Sequence, residues 1–405
     1  MSLMADQVSK KASPCCVLFS TADWDAPYWT NKQHTAKMLA EYGWRVLYVE
    51  SIGLRMPKAG SKKDLARLGK RLKKGIRGVL RGPTQIGDNV WLLSPLVVPA
   101  THNGGILAMV NRMLLSWPIS RFLKNENFKE PVIWTYHPYI LDKIRNIDCG
   151  KLLFHCVDDL SAIPGIDKKS YLDAEAILLG EADVVVVTSK TLEERCSKLN
   201  KNTYYFSNVV DFDHFSKAFD LQREPEELAS IPCPRLIYHG VISDFKLDLD
   251  LLVNVAGNTP GWNWVFIGEE REGQSNPKIN ALRKMDNTYF LGYRCYQDLP
   301  LYLGACQVGI LPSLVNEYTK SMFPMKYYEY LAAGLPVVST PLEFTKHVTN
   351  GLEVGETPDE FIEAITRQLS RGRLQRSEAY KFVGDNTWKA RTQKMISLLG
   401  HEAHK

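Results

Sequence analysis

The run SMFPMKYYEYLAAGLPVVST at 321–340 holds the residues whose types and spacing point most directly to chemistry. Pro324 near a first helical position, and Gly334 followed by Pro336, delimit a helix over about 324–333 that leads into a buried strand. Lys326 and Glu329 then stand three apart on one helical face, close to its N-terminus. A cation beside a helix N-terminus suits a diphosphate, and a carboxylate one turn on can accept both hydrogen bonds of a ribose 2′,3′-diol. The same pair at that spacing also makes an ordinary solvated ion pair, so the pattern by itself leaves both roles open.

Three further groups lie just after apolar runs. The stretch STADWDAPYWTNKQH at 20–34 offers Trp24, Tyr28 and Trp29 as flat faces for a sugar, with Asp25, Asn31 and His34 as hydrogen-bonding groups; loop aromatics are as often packing. His137 closes VIWTYHP beside Pro138, a less usual place for a core histidine than mid-strand. Asp158 and Asp159 follow the next apolar run, where one of two adjacent carboxylates can serve as a base toward a hydroxyl, or where Asp159 or Ser161 can cap a helix. Asp248 and Asp250 fall in a helix pattern with their carboxylates toward solvent. No metal is therefore expected, and no cofactor.

The elements that must position these groups are legible as β-branched runs alternating with amphipathic stretches. Strands are predicted at 15–20, 45–50, 90–96, 132–136, 151–157, 184–188 and 203–207, and the pattern restarts at 235–239, 263–268, 288–291, 307–311 and 336–339 after a Pro- and acid-rich loop near 216–234. This is an α/β chain of two doubly wound, Rossmann-like domains, in which ligands lie beyond the carboxyl ends of the strands and two such sheets make a central cleft. The expected division is 1–215, then 216–376, then a last helix at about 377–399 within 377–405 that crosses back to the first domain. A length of 405 residues suits two cores, and 45% hydrophobic with 23% charged residues excludes disordered and fibrous classes. The eight cysteines are scattered with no CxxC pair, which fits a reducing compartment and excludes a zinc framework.

With these residues in view, the chain resembles the family 4 glycosyltransferases (glycosyl transferases group 1) of the GT-B fold, and within them the teichuronic-acid and capsule type with its PxKxxEYLAxGxPVVST core. The resemblance implies that Glu329 holds the nucleotide ribose, and Ser321 stands where many members place a second Glu on the donor sugar. In HGVISDFKLDLDLL, Gly240 and Lys246 match a diphosphate-gripping loop, but Val241 replaces the family's Arg, which leaves Arg294 or Lys326 to supply the second cation. Gly292, Tyr293 and Arg294 match the strand and turn that line the base pocket, and uracil follows from family habit. His137 aligns with a histidine that reaches the donor sugar. The resemblance implies retention of configuration, whereas a catalytic Asp158 would suggest inversion. The expected reaction is transfer from a nucleotide sugar to a lipid-linked or glycan acceptor in bacterial envelope or capsule polysaccharide synthesis. A UDP-sugar 2-epimerase shares the cleft but needs no acceptor surface.

The net charge of +5 conceals an asymmetry: residues 55–81 carry eleven Lys or Arg against Asp64 alone, so this segment is +10 and the rest of the chain −5. Leu65, Leu68, Leu72, Ile76 and Val79 make one stripe of a helix there, with Lys62, Lys63, Arg67, Lys70, Arg71, Lys73, Lys74 and Arg77 between them. Such a helix lies flat on an anionic bilayer or packs its stripe on the domain beneath. A nucleic-acid-binding arm on a non-catalytic scaffold would explain the charge but not the 321–340 run, so no nucleic acid is expected. The apolar stretch at 106–123 is too interrupted to span a bilayer, and the polar N-terminal residues make neither a signal peptide nor an anchor. These features predict a cytoplasmic enzyme, peripheral on the inner face of the plasma membrane.

Overall fold

The computed structural model describes residues 13–52, 62–96, 105–271, 274 and 276–401. Two mixed α/β layers are built on separate sheets. The first holds β1 (Cys15–Phe19), β2 (Arg45–Val49), β3 (Thr84–Gly87), β4 (Val90–Leu93), β5 (Val132–Thr135), β6 (Lys151–Cys156), β7 (Val184–Val187) and β8 (Thr203–Tyr205), in the order β3-β4-β2-β1-β5-β6-β7-β8. The second holds β9 (Arg235–His239), β10 (Asn263–Ile267), β11 (Thr288–Gly292), β12 (Val308–Leu311), β13 (Val337–Ser339) and β14 (Leu352–Val354), in the order β11-β10-β9-β12-β13-β14. Every pairing is parallel except that of β3 with β4. Strands such as Val184–Val187 are apolar along their whole length because helices cover both faces of the sheet. β3 and β14 lay outside the predicted strands, since TQIG is exposed throughout and LEV is short, leaving no apolar run to detect.

Strand order reverses between β1 and β5 in one sheet and between β9 and β12 in the other. Crevices open at such switch points beyond the carboxyl ends of the strands. The loop after β1, His137 after β5, Asp158 after β6 and Gly240 after β9 all lie at that end of their strands.

Three helices of the first layer matter for the site: α1 (Asn31–Glu41), α2 (Lys62–Arg81) and α3 (Ile106–Asn125). Among its described side chains, α2 meets the layer through glycines and not through Leu72 or Leu80. A β-carbon on Gly78 would stand 2.5 Å from the Ser94 carbonyl oxygen, and one on Gly75 would stand 3.0 Å from Leu96. This close face turns Leu72, Ile76 and Leu80 outward, with Leu80 72% exposed, and leaves Val79 half-buried. The stripe expected to end at Val79 is therefore displaced by about one residue at that end. α3 buries Leu115, Ile119, Phe122 and Leu123 in the core and presents Ile106, Met109, Met113 and Trp117 to solvent.

The C-terminal segment is two helices and not one. Arg376–Val383 ends at Gly384, whose φ of +52° breaks the run, and Trp388–Leu398 follows. Met395, Ile396 and Leu399 enter the core of the first sheet beside Cys16, Leu18 and Trp44.

Candidate active site in the cleft

The local geometry begins with a crossing of two glycines. Gly240 follows β9 with φ of +121°, and a β-carbon there would stand 2.7 Å from Cε and 2.8 Å from Nζ of Lys326. A β-carbon on Gly268 would stand 2.0 Å from the Gly240 carbonyl oxygen. Side chains are thus excluded at both positions, and the Lys326 amine passes over the bare Gly240 backbone. The helix Met325–Ala332, capped by Pro324, delivers Lys326 in its first turn and Glu329 one turn on. Its register is set by the Tyr330 hydroxyl, which accepts from His239 N–H at 3.2 Å, and by the Tyr327 hydroxyl, which donates to the Asn350 carbonyl at 2.8 Å.

Glu329 is buried, and the loss of water pushes its carboxyl up to about 7 while Lys326 pulls it back in part. His239 Nε2 lies 3.3 Å from Glu329 Oε2 but out of hydrogen-bonding alignment, and burial followed by Lys326 drives the imidazole well below its usual value. These two groups are therefore not a charged pair. A buried carboxylate lacking donors of its own is strongly disposed to accept them from a ligand.

Lys246 extends the site toward the first domain. Its Nζ donates to the Tyr318 hydroxyl at 3.2 Å, and burial, then the nearby Asp158 carboxylate of the first domain, raises that hydroxyl well above its usual value. Burial lowers the ammonium of Lys246, Asp158 opposes this, and Lys326 adds to it. A pocket of about 250 Å³ opens here, lined among others by Ile163, Pro164, Val241, Ser243, Lys246 and Tyr318. Tyr318 was not singled out in the sequence, because nothing local distinguishes it from the other tyrosines of the region.

Several predicted residues have other occupations. Arg294 pairs with Glu227 at 2.8 Å and donates to the Tyr302 hydroxyl at 2.6 Å, so it is not the missing second cation. Gly292 has φ of +73° and its carbonyl accepts from Gly268 N–H, while the Tyr293 hydroxyl reaches across to the Pro27 carbonyl at 3.0 Å and its ring meets Tyr28 edge-on. Ser321 is buried at the end of the short helix Glu317–Lys320.

On the first-domain side, Asn31 is not an acceptor ligand: it is buried, donates to Asn208 at 2.8 Å and accepts from Arg391 at 2.7 Å. His34 is likewise committed, stacked on Trp388 with ring centroids 4.4 Å apart and driven down to about 3 by burial, then by nearby cations. Asp159 is structural, capping the turn Leu160–Ala162 through Ser161 N–H and pairing with Arg195 at 2.8 Å. Asp25 is exposed and pairs with Lys74 at 3.0 Å. Trp24 packs on Tyr48 and Trp29, and its N–H donates to Glu50. His137 is buried with its backbone fixed by Thr135 on both sides.

The same ion pair withdraws Lys74 from the cationic surface of α2, whereas Lys73 and Arg77 are exposed. The side chains of Lys62, Lys63, Leu65, Arg67, Leu68, Lys70 and Arg71 lie outside the described residues. Asp248 does not face solvent freely: it caps the helix Leu249–Asn258 through Leu251 N–H, while Asp250 pairs with Lys278. Among the described residues no cluster of His, Cys, Asp and Glu has the makings of a metal site.

Comparison with known proteins places this geometry. Residues 234–371 match the family described as Glycosyl transferases group 1. A Bacillus subtilis (strain 168) protein named for a glycosyltransferase of teichuronic acid biosynthesis, TuaH, is 25% identical over 179 residues, which is 43% of this chain and 44% of that relative. The chain therefore spans less than half the length of the curated relative it matches. Among solved structures, sucrose-phosphate synthase from Thermosynechococcus elongatus superposes with a TM-score of 0.69 at 16% identity, covering 95% of this chain and 98% of that one. Anabaena HepE in complex with UDP and glucose gives 0.56 at 14% identity, over 95% and 97%. The two-domain arrangement is the GT-B fold, and the second domain carries the group 1 glycosyl transferase match.

Proposed function

We propose that this chain, whose second domain is of the glycosyl transferases group 1 type, moves a sugar from a nucleoside diphosphate sugar onto an acceptor presented at an anionic membrane surface. The observation that carries the reading is the pair Lys326 and Glu329: a cation laid over the Gly240 backbone, and a buried carboxylate held ready for donors one turn away. Lys326 and Lys246 neutralise the leaving diphosphate, Glu329 accepts from the ribose diol, and the cleft excludes water from the anomeric carbon. UDP is the favoured nucleotide, supported by the neighbour that holds UDP with glucose. His137, fixed at the end of β5, is the first-domain group assigned to the donor sugar. Asp158 faces Lys246 and the Tyr318 hydroxyl as a counter-ion, which favours retention without a protein base over inversion.

The acceptor reading rests on α2 and α3. Leu72, Ile76 and Leu80 on one helix, and Ile106, Met109, Met113 and Trp117 on its neighbour, form an exposed apolar face flanked by Lys73 and Arg77. No helix among the described residues is long and apolar enough to cross a membrane. An enzyme docked through this face on the inner leaflet meets a lipid-linked acceptor of envelope polysaccharide. Binding of UDP and GDP by calorimetry, followed by transfer from radiolabelled nucleotide sugars to lipid-linked and soluble acceptors, tests the proposal. Failure to bind either nucleotide overturns it.

A further inference from the structure

The diphosphate loop lacks a cation at Val241, and Arg294 is neutralised by Glu227, so the second domain leaves a charge missing. Position 241 itself is partly exposed at the edge of the interdomain pocket. The opposite wall of the cleft holds a lysine that the family pattern does not account for. Lys32 occupies the first turn of α1, is only 7% exposed, and makes no hydrogen bond or ion pair among the described residues. Its Nζ lies 5.5 Å from the centroid of the Tyr136 ring, the residue immediately before His137.

The turn that carries Lys32 is held firmly. Asn31 is clamped by Arg391 and Asn208, its carbonyl accepts from the Tyr136 hydroxyl at 3.2 Å, and Asn208 in turn donates to the Phe323 carbonyl, directly before the helix of Lys326 and Glu329. The first turn of α1 is thereby tied to the donor helix of the other domain. A long cationic side chain kept out of water at a fixed place, with no anion bonded to it, is costly unless a ligand supplies the anion.

We infer that Lys32 is the second cation of the diphosphate site, contributed by the first domain in place of the residue missing at 241. The inference rests on the donor reading above. Its electrostatic surroundings agree: burial lowers the Lys32 ammonium, Asp158 opposes this and Lys246 adds to it, so Lys32 and Lys246 feel each other as Lys246 and Lys326 do. Lys32 is buried and Lys246 and Lys326 half-buried, Lys246 feels both of the others, and Asp158 offsets only part of that charge. The ligand that relieves it carries more than one negative charge, as a nucleoside diphosphate does. Lys32 also differs from the other two in belonging to the opposite wall, so its contact forms across the cleft and joins the domains around the leaving group.

The experiment compares UDP with uridine on the intact chain, since uridine keeps the ribose contact of Glu329 and lacks phosphates. Lys32→Met is expected to lower UDP affinity by about tenfold or more while leaving uridine affinity unchanged, and Lys32→Arg is expected to restore most of the loss. If Lys32→Met does not fold, as judged by its melting transition, Lys32→Gln takes its place with the same expectation. UDP affinity within about twofold of wild type in a folded Lys32→Met or Lys32→Gln protein overturns the inference. Equal losses for UDP and uridine also overturn it, because they mark a structural role. Glu329→Ala measured alongside separates the two claims: if it too leaves UDP binding unchanged, the donor reading itself has failed.

Discussion

On the second-domain wall of the cleft, the buried Glu329 and the half-buried Lys326 and Lys246 have few protein partners, whereas on the first-domain wall the buried Asn31 and the half-buried Asp159 are bonded, and His34 is stacked on Trp388. Both sets are polar residues near strand ends, and by residue type they look alike. What separates them is whether the fold has already satisfied them. Desolvated groups without partners raise the energy of the empty protein and are relieved by ligand; desolvated groups with partners stabilise the protein whether or not ligand is present. The comparison predicts opposite phenotypes for the two walls.

The largest effect should come from the bonded wall. Asn31→Ala removes one of the two acceptors of the buried Arg391 guanidinium, leaving it only the Ser207 carbonyl, and removes the donor to Asn208. We expect a loss of stability of about 3 kcal/mol, read as the denaturation midpoint. A stability within a few tenths of wild type would break the contrast, because Asn31 would then belong with the ligand-binding groups.

Next comes the unbonded wall, where substitution should cost ligand and not fold. Glu329→Ala is expected to weaken UDP binding by roughly 1.5 to 3 kcal/mol, the worth of charge-assisted bonds to a diol, with an unchanged or higher melting temperature. Glu329→Gln sharpens the test through pH. Because the folded carboxyl titrates at about 7 and the ordinary value is 4.5, the fold favours the protonated form. The wild-type contribution is fully present below pH 4.5 and is lost as pH rises through 7. The Gln variant should match wild type near pH 4 and exceed it at pH 8 by up to about 3 kcal/mol, while binding UDP poorly. A stability difference that does not grow with pH refutes the desolvated carboxylate.

How much of this was readable in advance follows the same division. The helix of Lys326 and Glu329 was legible as an element because Pro324, Lys326, Glu329 and Gly334 sit within one local stretch whose periodicity and caps fix their relative positions. Both sheets were legible because strands covered on two faces are apolar along their length. The first-domain assignments failed where a tertiary partner far along the chain decided the role, Arg391 for Asn31 and Trp388 for His34, whereas for Asp159 the capping alternative open in the sequence is the one observed, with Arg195 added from afar. Lys32 and Tyr318 escaped notice for the mirror-image reason, since their significance arises only where the two domains face each other. The outward turn of α2 was partly hidden as well, because its anchors are the glycines at 75 and 78 and the leucine stripe is what a periodicity search detects.

A second comparison divides the cations of α2. Lys73 and Arg77 are exposed beside the apolar face, and near an anionic leaflet each is worth about 1 kcal/mol. Replacing both with Ala should therefore reduce flotation with anionic vesicles at low salt, with little left to lose at high salt. Binding to neutral vesicles that equals binding to anionic ones would defeat the electrostatic part of the membrane proposal.

The smallest effect belongs to Lys74, which lies on the same helix but faces the domain. Its ammonium is 3.0 Å from Asp25 and 4.0 Å from the buried Glu50, and it is raised above its usual value by these two carboxylates against the opposing effect of burial. Asp25 is more than half exposed, so the bond to it is screened and worth well under 1 kcal/mol, with Glu50 adding a longer-range contribution. Lys74→Ala should accordingly cost only a few tenths of a kcal/mol in stability and leave vesicle binding at the wild-type level, in contrast to its neighbour Lys73. If Lys74→Ala instead reduces vesicle binding as strongly as Lys73→Ala, the ion pair opens on the membrane and all the cations of α2 act together. Charge alone would then govern docking, and the distinction between the glycine face and the outward face of α2 would have no bearing on it.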